Sequence, residues 1–198
     1  MDEIVVKLAD TNKVTWQDAK SLSYVLGADI AAADQYVQEE DKVAHIVSAY
    51  FKRKYIGDWQ VAESGKPFAV GKHFNVSHTN GAVVFVESTN EIGIDIEKIR
   101  PADQDLRRYI SSDIEYALIT DDKSFFEVWT AKESLVKATG EGIASPSKIP
   151  ALPLDAAKTY KDTSFFSQHV IIDDYVISVT QEGDIPFCLK IEMEELKF

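Results

Sequence analysis

Two short segments hold the side chains best suited to chemistry. Ile92-Gly93-Ile94-Asp95-Ile96-Glu97 alternates isoleucine with glycine or a carboxylate. Side chains two apart on a strand share a face, so the isoleucines can enter a core while Asp95 and Glu97 converge on the opposite surface. Trp129-Thr130-Ala131-Lys132-Glu133-Ser134-Leu135-Val136-Lys137 follows in a helical pattern. On a wheel turning about 100° per residue, Phe125, Phe126 and Val136 gather around Trp129, and Lys132 and Glu133 fall in the same arc. A charged residue beside an apolar stripe is ordinarily a solvated flank whose stem covers the core. Here Lys137 lies one turn beyond Glu133, and Asp95 and Glu97 would repel Glu133 unless a cation sat among them. Asp95, Glu97 and Glu133 are therefore expected to hold a hard divalent cation such as Mg²⁺, which takes oxygen ligands and keeps places for water and phosphate.

The bulk of the chain restricts what such a site could serve. Its 198 residues can bury a substantial core, and 45% hydrophobic and 11% aromatic content without a low-complexity tract argues for a folded protein. No apolar run approaches a membrane span, and Met1-Asp2-Glu3 is unlike the basic start of a signal peptide. The expectation is a soluble, cytoplasmic protein that binds no membrane. A net charge of −12 argues against nucleic acid as partner, yet a metal ion and a few clustered lysines can reverse the sign locally for a small polyphosphate. The single Cys188 excludes an internal disulfide and reads as a small buried hydrophobe in Phe187-Cys188-Leu189.

The elements that must position the site follow from caps and periodicity. Residues 4–8 read as a strand, and Thr15 with Asp18 opens a helix that Gly27 closes. Val43, Ile46, Val47, Tyr50 and Phe51 form a core-facing helical stripe. Strands at 74–77 and 82–87 flank the hairpin signal Asn80-Gly81, and 92–97 is a third strand. Ser112 with Glu115 resembles a capping box, 125–139 is a long helix, and strands follow at 169–172, 175–180 and 187–193. Helix then antiparallel strands, found twice, predicts an α+β fold of two similar halves, 1–100 and 101–198, each a helix on a three-stranded sheet. Packed face to face as an intramolecular pseudo-dimer, the halves would leave the active site in the cleft between them.

Four motifs in fixed order carry a resemblance to a known family. They are Gly65-Lys66-Pro67, Asn75-Val76-Ser77-His78, Gly93-Ile94-Asp95-Ile96-Glu97, and Trp129-Thr130-Ala131-Lys132-Glu133-Ser134 with Lys137 four residues after Glu133. Over roughly residues 40 to 145 the chain resembles the 4′-phosphopantetheinyl transferases of the pseudo-dimeric Sfp type. The resemblance implies Mg²⁺-dependent transfer of phosphopantetheine from coenzyme A to a serine of an apo acyl or peptidyl carrier protein, with release of 3′,5′-ADP, and Mn²⁺ able to replace Mg²⁺. It implies that Asp95, Glu97 and Glu133 are the metal ligands, that Glu133 helps to deprotonate the carrier serine, and that Lys137 is catalytic and, like Lys132, contacts phosphates. Ser77 and His78 match positions touching the coenzyme A phosphates, and Lys66 one near the nucleotide end.

One position departs from the pattern. Relatives usually carry, three residues after the counterpart of Asp41, an arginine that grips the 3′-phosphate of coenzyme A. This chain has Ala44, followed by His45, with Lys42 nearby as a replacement charge. The pair Arg107 and Arg108 stands out on an acidic chain and suits an acidic carrier. A chain with both halves of the cleft needs no second copy, so a monomer is expected. A metal-dependent phosphohydrolase could use the same carboxylates, and a non-catalytic carrier-protein binder the same surface; the acidic surface disfavours a nuclease.

Overall fold

The computed structural model describes every residue except Met1, Ala28, Asp29 and Ser64, together with the side chain of Val25. The chain opens with strand β1 (Asp2–Asp10) and helix α1 (Trp16–Leu26). Thr15 and Asp18 form the reciprocal capping box, and Gly27 closes α1 in the left-handed conformation. A single turn, α2 (Ile30–Ala33), leads to α3 (Glu39–Phe51), which widens into a π-helical turn over Lys52–Ile56. A small hairpin, β2 (Gln60–Val61) and β3 (Pro67–Phe68), precedes β4 (His73–Thr79) and β5 (Ala82–Ser88), joined through Asn80-Gly81.

Next come β6 (Ile92–Lys98) and two short helices, α4 (Gln104–Ile110) and α5 (Asp113–Leu118). The long helix α6 (Asp122–Thr139) starts three residues earlier than periodicity predicts, because Asp121 and Ser124 form a capping box. Strands β7 (Ala157–Tyr160), β8 (Thr163–Ile172), β9 (Tyr175–Glu182) and β10 (Phe187–Met193) complete the chain.

The two principal sheets have four strands each, where three were expected, and each takes a strand from the other half of the sequence. One has the order β10-β1-β5-β4 and the other β6-β9-β8-β7. Strand β10 pairs in parallel with β1, Val6 opposite Ile191, and β6 pairs antiparallel with β9, Asp95 opposite Ser178. Alternation identifies a strand but not its neighbour, so this exchange is invisible to pattern.

The exchange serves burial. Ile4, Val6, Val84 and Val86 of the first sheet pack with Ile92, Ile94, Ile96, Ile177 and Val179 of the second in one core. Helices α1 and α3 cover the other face of the first sheet through Leu22, Ile46, Val47 and Phe51, against Phe74 and Phe85. Helix α6 covers the other face of the second, through Phe125, Phe126 and Leu135. Apolar area is thus removed from water in three layers of contact, the dominant favourable term for a chain of this size. Cys188, expected to be buried, is half-exposed on edge strand β10, with its thiol toward the Asp2 carbonyl at 3.7 Å.

Candidate active site

The site lies on the seam where β4 meets β6. Each is the edge of its sheet, and side chains rather than a backbone ladder join them. Asn75 Oδ1 accepts from the Ile94 amide at 3.0 Å, Ser77 Oγ donates to Asp95 Oδ1 at 2.8 Å, and Thr79 Oγ1 donates to Glu97 Oε2 at 3.3 Å. Residues 75, 77 and 79 share one side of β4 because side chains alternate along a strand. That explains why an Asn-x-Ser segment precedes the carboxylate strand: short polar side chains satisfy edge groups that no neighbouring strand can reach.

Helix α6 closes the seam from outside. The face of β6 carrying Gly93, Asp95 and Glu97 is therefore covered, not the free surface that alternation suggests, and Asp95 is only 5% exposed. Gly93 allows this approach, since a Cβ there would lie 2.1 Å from the Ser134 carbonyl oxygen and 2.3 Å from the Ala138 nitrogen. Lys137 Nζ then reaches Asp95 Oδ1 at 2.6 Å and Ser77 Oγ at 2.8 Å. Asp95 Oδ2 is buried without a hydrogen-bond partner, and burial raises the pKa of this carboxyl above its ordinary value against the pull of Lys137.

Glu133 lies one turn before Lys137 on the same stripe. Burial, and then the charges of Asp95 and Glu97, push its carboxyl up from 4.5 to about 7, with Lys137 opposing. Glu97 is held by Arg100 at 2.7 Å. The donor chemistry fits a hard cation: three carboxylates, one with a buried lone oxygen and one with its pKa raised by burial and then by its like-charged neighbours. Among the described residues, however, no three such side chains converge closely enough to form a ready cage, and the Lys137 ammonium occupies the place of a counter-charge at Asp95.

The remaining expected ligands divide. His78 extends from β4 into solvent beside the seam; surrounding protein lowers its pKa first and Lys137 second, with Asp41, Asp95 and Glu97 pulling the other way. Lys66 donates to Glu91 and to the Ala138 carbonyl, both at 2.5 Å, so it stands at the C-terminal end of α6, one residue beyond Lys137.

Lys132, expected to contact phosphate, faces the protein interior instead. It is fully buried, donating to Glu115 Oε2 at 2.7 Å and to the carbonyls of Pro146 at 3.0 Å and Ile149 at 2.6 Å. Its position 100° around the helix from Glu133 turns it away from the seam. Lys42 is likewise directed elsewhere, its ammonium 3.4 Å from Asp34 and over the Trp16 ring at 5.4 Å, while the His45 ring lies 5.5 Å from Tyr36. Core packing by Val43, Ala44, Ile46 and Val47 sets that orientation and puts residues 42 and 45 on the flanks of α3. Ala44 is 4% exposed, so its Cβ points into the core. Arg107 is half-buried and ties α4 to α6 through Asp122 at 2.6 Å, and Arg108 pairs with Asp113 at 2.6 Å.

Sequence reasoning missed Glu115 as more than a cap. Its Oε2 accepts from the Ser112 amide at 2.8 Å as well as from Lys132, and its Oε1 accepts from the Ala151 amide at 2.9 Å. Burial opposes its ionisation, but these donors outweigh it and lower its pKa. Only its place in the capping box could have signalled it. Asn75 stands in a sequence motif, but its role at the seam depends on β6 lying beside β4.

Part of the chain is similar to known proteins. A family model described as the 4′-phosphopantetheinyl transferase superfamily matches residues 91–180, the stretch holding Asp95, Glu97, Glu133 and Lys137. It is 33% identical over 129 residues to 4′-phosphopantetheinyl transferase gsp of Aneurinibacillus migulanus, covering 57% of this chain and 54% of the relative. It is 32% identical over 115 residues to 4′-phosphopantetheinyl transferase Sfp of Bacillus subtilis (strain 168), covering 51% of each. A third relative, 4′-phosphopantetheinyl transferase HetI of Nostoc sp. (strain PCC 7120), is 34% identical over 119 residues, covering 54% of this chain and 50% of its own. The chain spans about half the length of the curated relatives it matches.

Proposed function

We propose that this chain is a 4′-phosphopantetheinyl transferase, moving phosphopantetheine from coenzyme A to the serine of an apo acyl or peptidyl carrier protein. The observation that carries the reading is the Asp95–Lys137–Ser77 cluster, with Glu133 one helical turn away; Asp95, Glu133 and Lys137 fall inside the segment that matches the superfamily and Ser77 precedes it. The serine Oγ forms a bond to the phosphorus nearer the pantetheine arm, and the bridging P–O bond of the pyrophosphate breaks. The electron pair leaves on 3′,5′-ADP, and the serine proton passes to the Glu133 carboxylate. Burial makes the Glu133 carboxyl a stronger base than an ordinary carboxylate in the metal-free chain, and a bound cation would draw its pKa back down.

Lys137 and Ser77 present an ammonium and a hydroxyl to the pyrophosphate, with Lys66 and His78 flanking. Asp95, Glu97 and Glu133 would hold Mg²⁺, or Mn²⁺ in its place, which when bound neutralises charge on the pyrophosphate. We place the division into halves at 1–100 and 101–198, with α6 of the second covering the β4–β6 seam of the first. The chain would act as a monomer in the cytoplasm. Among the described residues no helix is long and apolar enough to cross a membrane.

The direct test incubates the chain with coenzyme A, Mg²⁺ and an apo carrier, and weighs the carrier by mass spectrometry. A carrier heavier by one phosphopantetheine, matched by 3′,5′-ADP in solution, is the expected result. An unchanged carrier with coenzyme A cleaved would favour a phosphohydrolase, and an unchanged carrier with coenzyme A intact would leave a binder.

A further inference from the structure

Glu133 stands between two buried side chains that hold α6 from different sides. Residues 132 and 134 are about 200° apart around a helix, with 133 midway at about 100° from each. On one side the Lys132 amino group meets three acceptors, Glu115 Oε2 and the carbonyls of Pro146 and Ile149. None of these can donate, so all three protons of an ammonium are used. On the other side Ser134 Oγ donates to the Ala131 carbonyl at 3.0 Å and so accepts from Thr180 Oγ1 at 2.7 Å, which in turn accepts from Ser167 Oγ at 2.8 Å. One turn earlier Thr130 Oγ1 donates to the Phe126 carbonyl at 2.8 Å and accepts from Ser178 Oγ at 2.7 Å.

The strand residues in these bonds are the ladder partners of the site strand, Thr180 opposite Gly93 and Ser178 opposite Asp95. We infer that Lys132 and Ser134, the latter through Thr180, are positioning residues that fix the rotation of α6 so that Glu133 and Lys137 face Asp95. The physical need is plain from the geometry. A helix rotation of about 20° would carry a side-chain tip roughly 6 Å from the axis through about 2 Å, enough to lose a hydrogen bond. An apolar contact would permit that slide with little cost, whereas a hydroxyl pair or an ammonium with three acceptors would not. The motif Lys132-Glu133-Ser134 thus reads as one reactive group between two pins.

The kinetic arm of the test rests on the proposed transferase activity, and a spectroscopic arm does not. In ¹⁵N NMR the Lys137 ammonium, held by Asp95 and Ser77, should give a protected signal in the parent protein. Thr180→Val and Ser134→Ala, studied well below their unfolding temperatures, should broaden or lose it. Transfer turnover per folded molecule should fall by about tenfold to a hundredfold, as expected for ångström-scale misplacement of a reacting group. Thr180→Ser, which keeps the hydroxyl, should restore both readouts. Lys132→Met should act in the same direction, and if it does not fold, the other variants still decide. A retained ammonium signal with parental turnover in Thr180→Val and Ser134→Ala, even at lowered thermal stability, would overturn the inference. If the parent transfers nothing to the carrier, the proposed function fails, and the ammonium signal alone then decides the positioning role.

Discussion

At Gly93 the requirement is space rather than torsion, since any Cβ would strike the backbone of α6 at Ser134 and Ala138. Gly93→Ala must lift the helix from the strand, and we expect a loss of about 3 kcal/mol, the upper end of ordinary overpacking. The urea midpoint reads it; an unchanged midpoint would mean that α6 does not press on β6. Glu133 gives a second prediction, with its sign set by a raised pKa. Below pH 4.5 the group is protonated whether the chain is folded or not. Between 4.5 and about 7 the folded state keeps a proton that the unfolded state has released, so stability falls as pH rises across that window and the contribution is gone above it. Without divalent ions, Glu133→Gln should match the parent at pH 4 and exceed it at pH 8 by about 1–2 kcal/mol, allowing for screening at a half-open seam. Thermal unfolding at the two pH values checks this, and a variant less stable than the parent at pH 8 would refute the crowding of like charge.

Among the elements, the connection from α6 to β7 is held by buried lysines. Lys158 on β7 donates to the Ala151 carbonyl at 2.6 Å, and its pKa is pushed down to about 8, by burial first and by Lys132, with Asp155 and Glu115 opposing. Folding therefore releases a proton from Lys158 between pH 8 and 10.5, and stability should rise with pH across that range. Lys158→Met should abolish the rise and stay within about 1 kcal/mol of the parent at pH 7, because the lost hydrogen bond offsets the relieved burial of charge. A pH-independent parent would exclude the mechanism. Elements of this kind show where legibility stops. The caps at Thr15, Gly27 and Ser112 were readable because a cap is a matter of three or four adjacent residues. The hairpin of β2 and β3 and strand β7 were not, being too short for a period to register. Lys132 and Lys137 look alike in sequence, five residues apart on one helix. What separates them is Glu115, reached through tertiary packing, against Asp95 and Ser77 at the seam. For the same reason the wheel that put Lys132 beside Glu133 could not show that it turns inward.

The strand exchange gives the whole molecule its unity. Strand β6 leaves the first half to pair with β9, and β10 returns from the second to pair with β1. The return is latched just beyond β10, where Glu194 accepts from the Tyr50 hydroxyl at 2.5 Å, the Lys54 ammonium at 2.5 Å and the Tyr55 hydroxyl at 2.6 Å. Burial opposes the charge on Glu194, but these three donors prevail and lower its pKa. A fragment of residues 1–100 would leave Ile92, Ile94 and Ile96 without the β9 residues they pack beside, and 101–198 would leave β9 without β6 and β10 without β1. We therefore expect neither fragment alone to give a cooperative thermal transition by circular dichroism, and the intact chain to unfold in one step with equal calorimetric and van't Hoff enthalpies. Removing residues 187–198 should take away the parallel edge and the latch together and lower the midpoint of the entire transition, rather than melt one half first. Two resolved transitions in the intact chain, or a folded 1–100 fragment, would show that the halves are independent units in contact rather than parts of a single interlocked core.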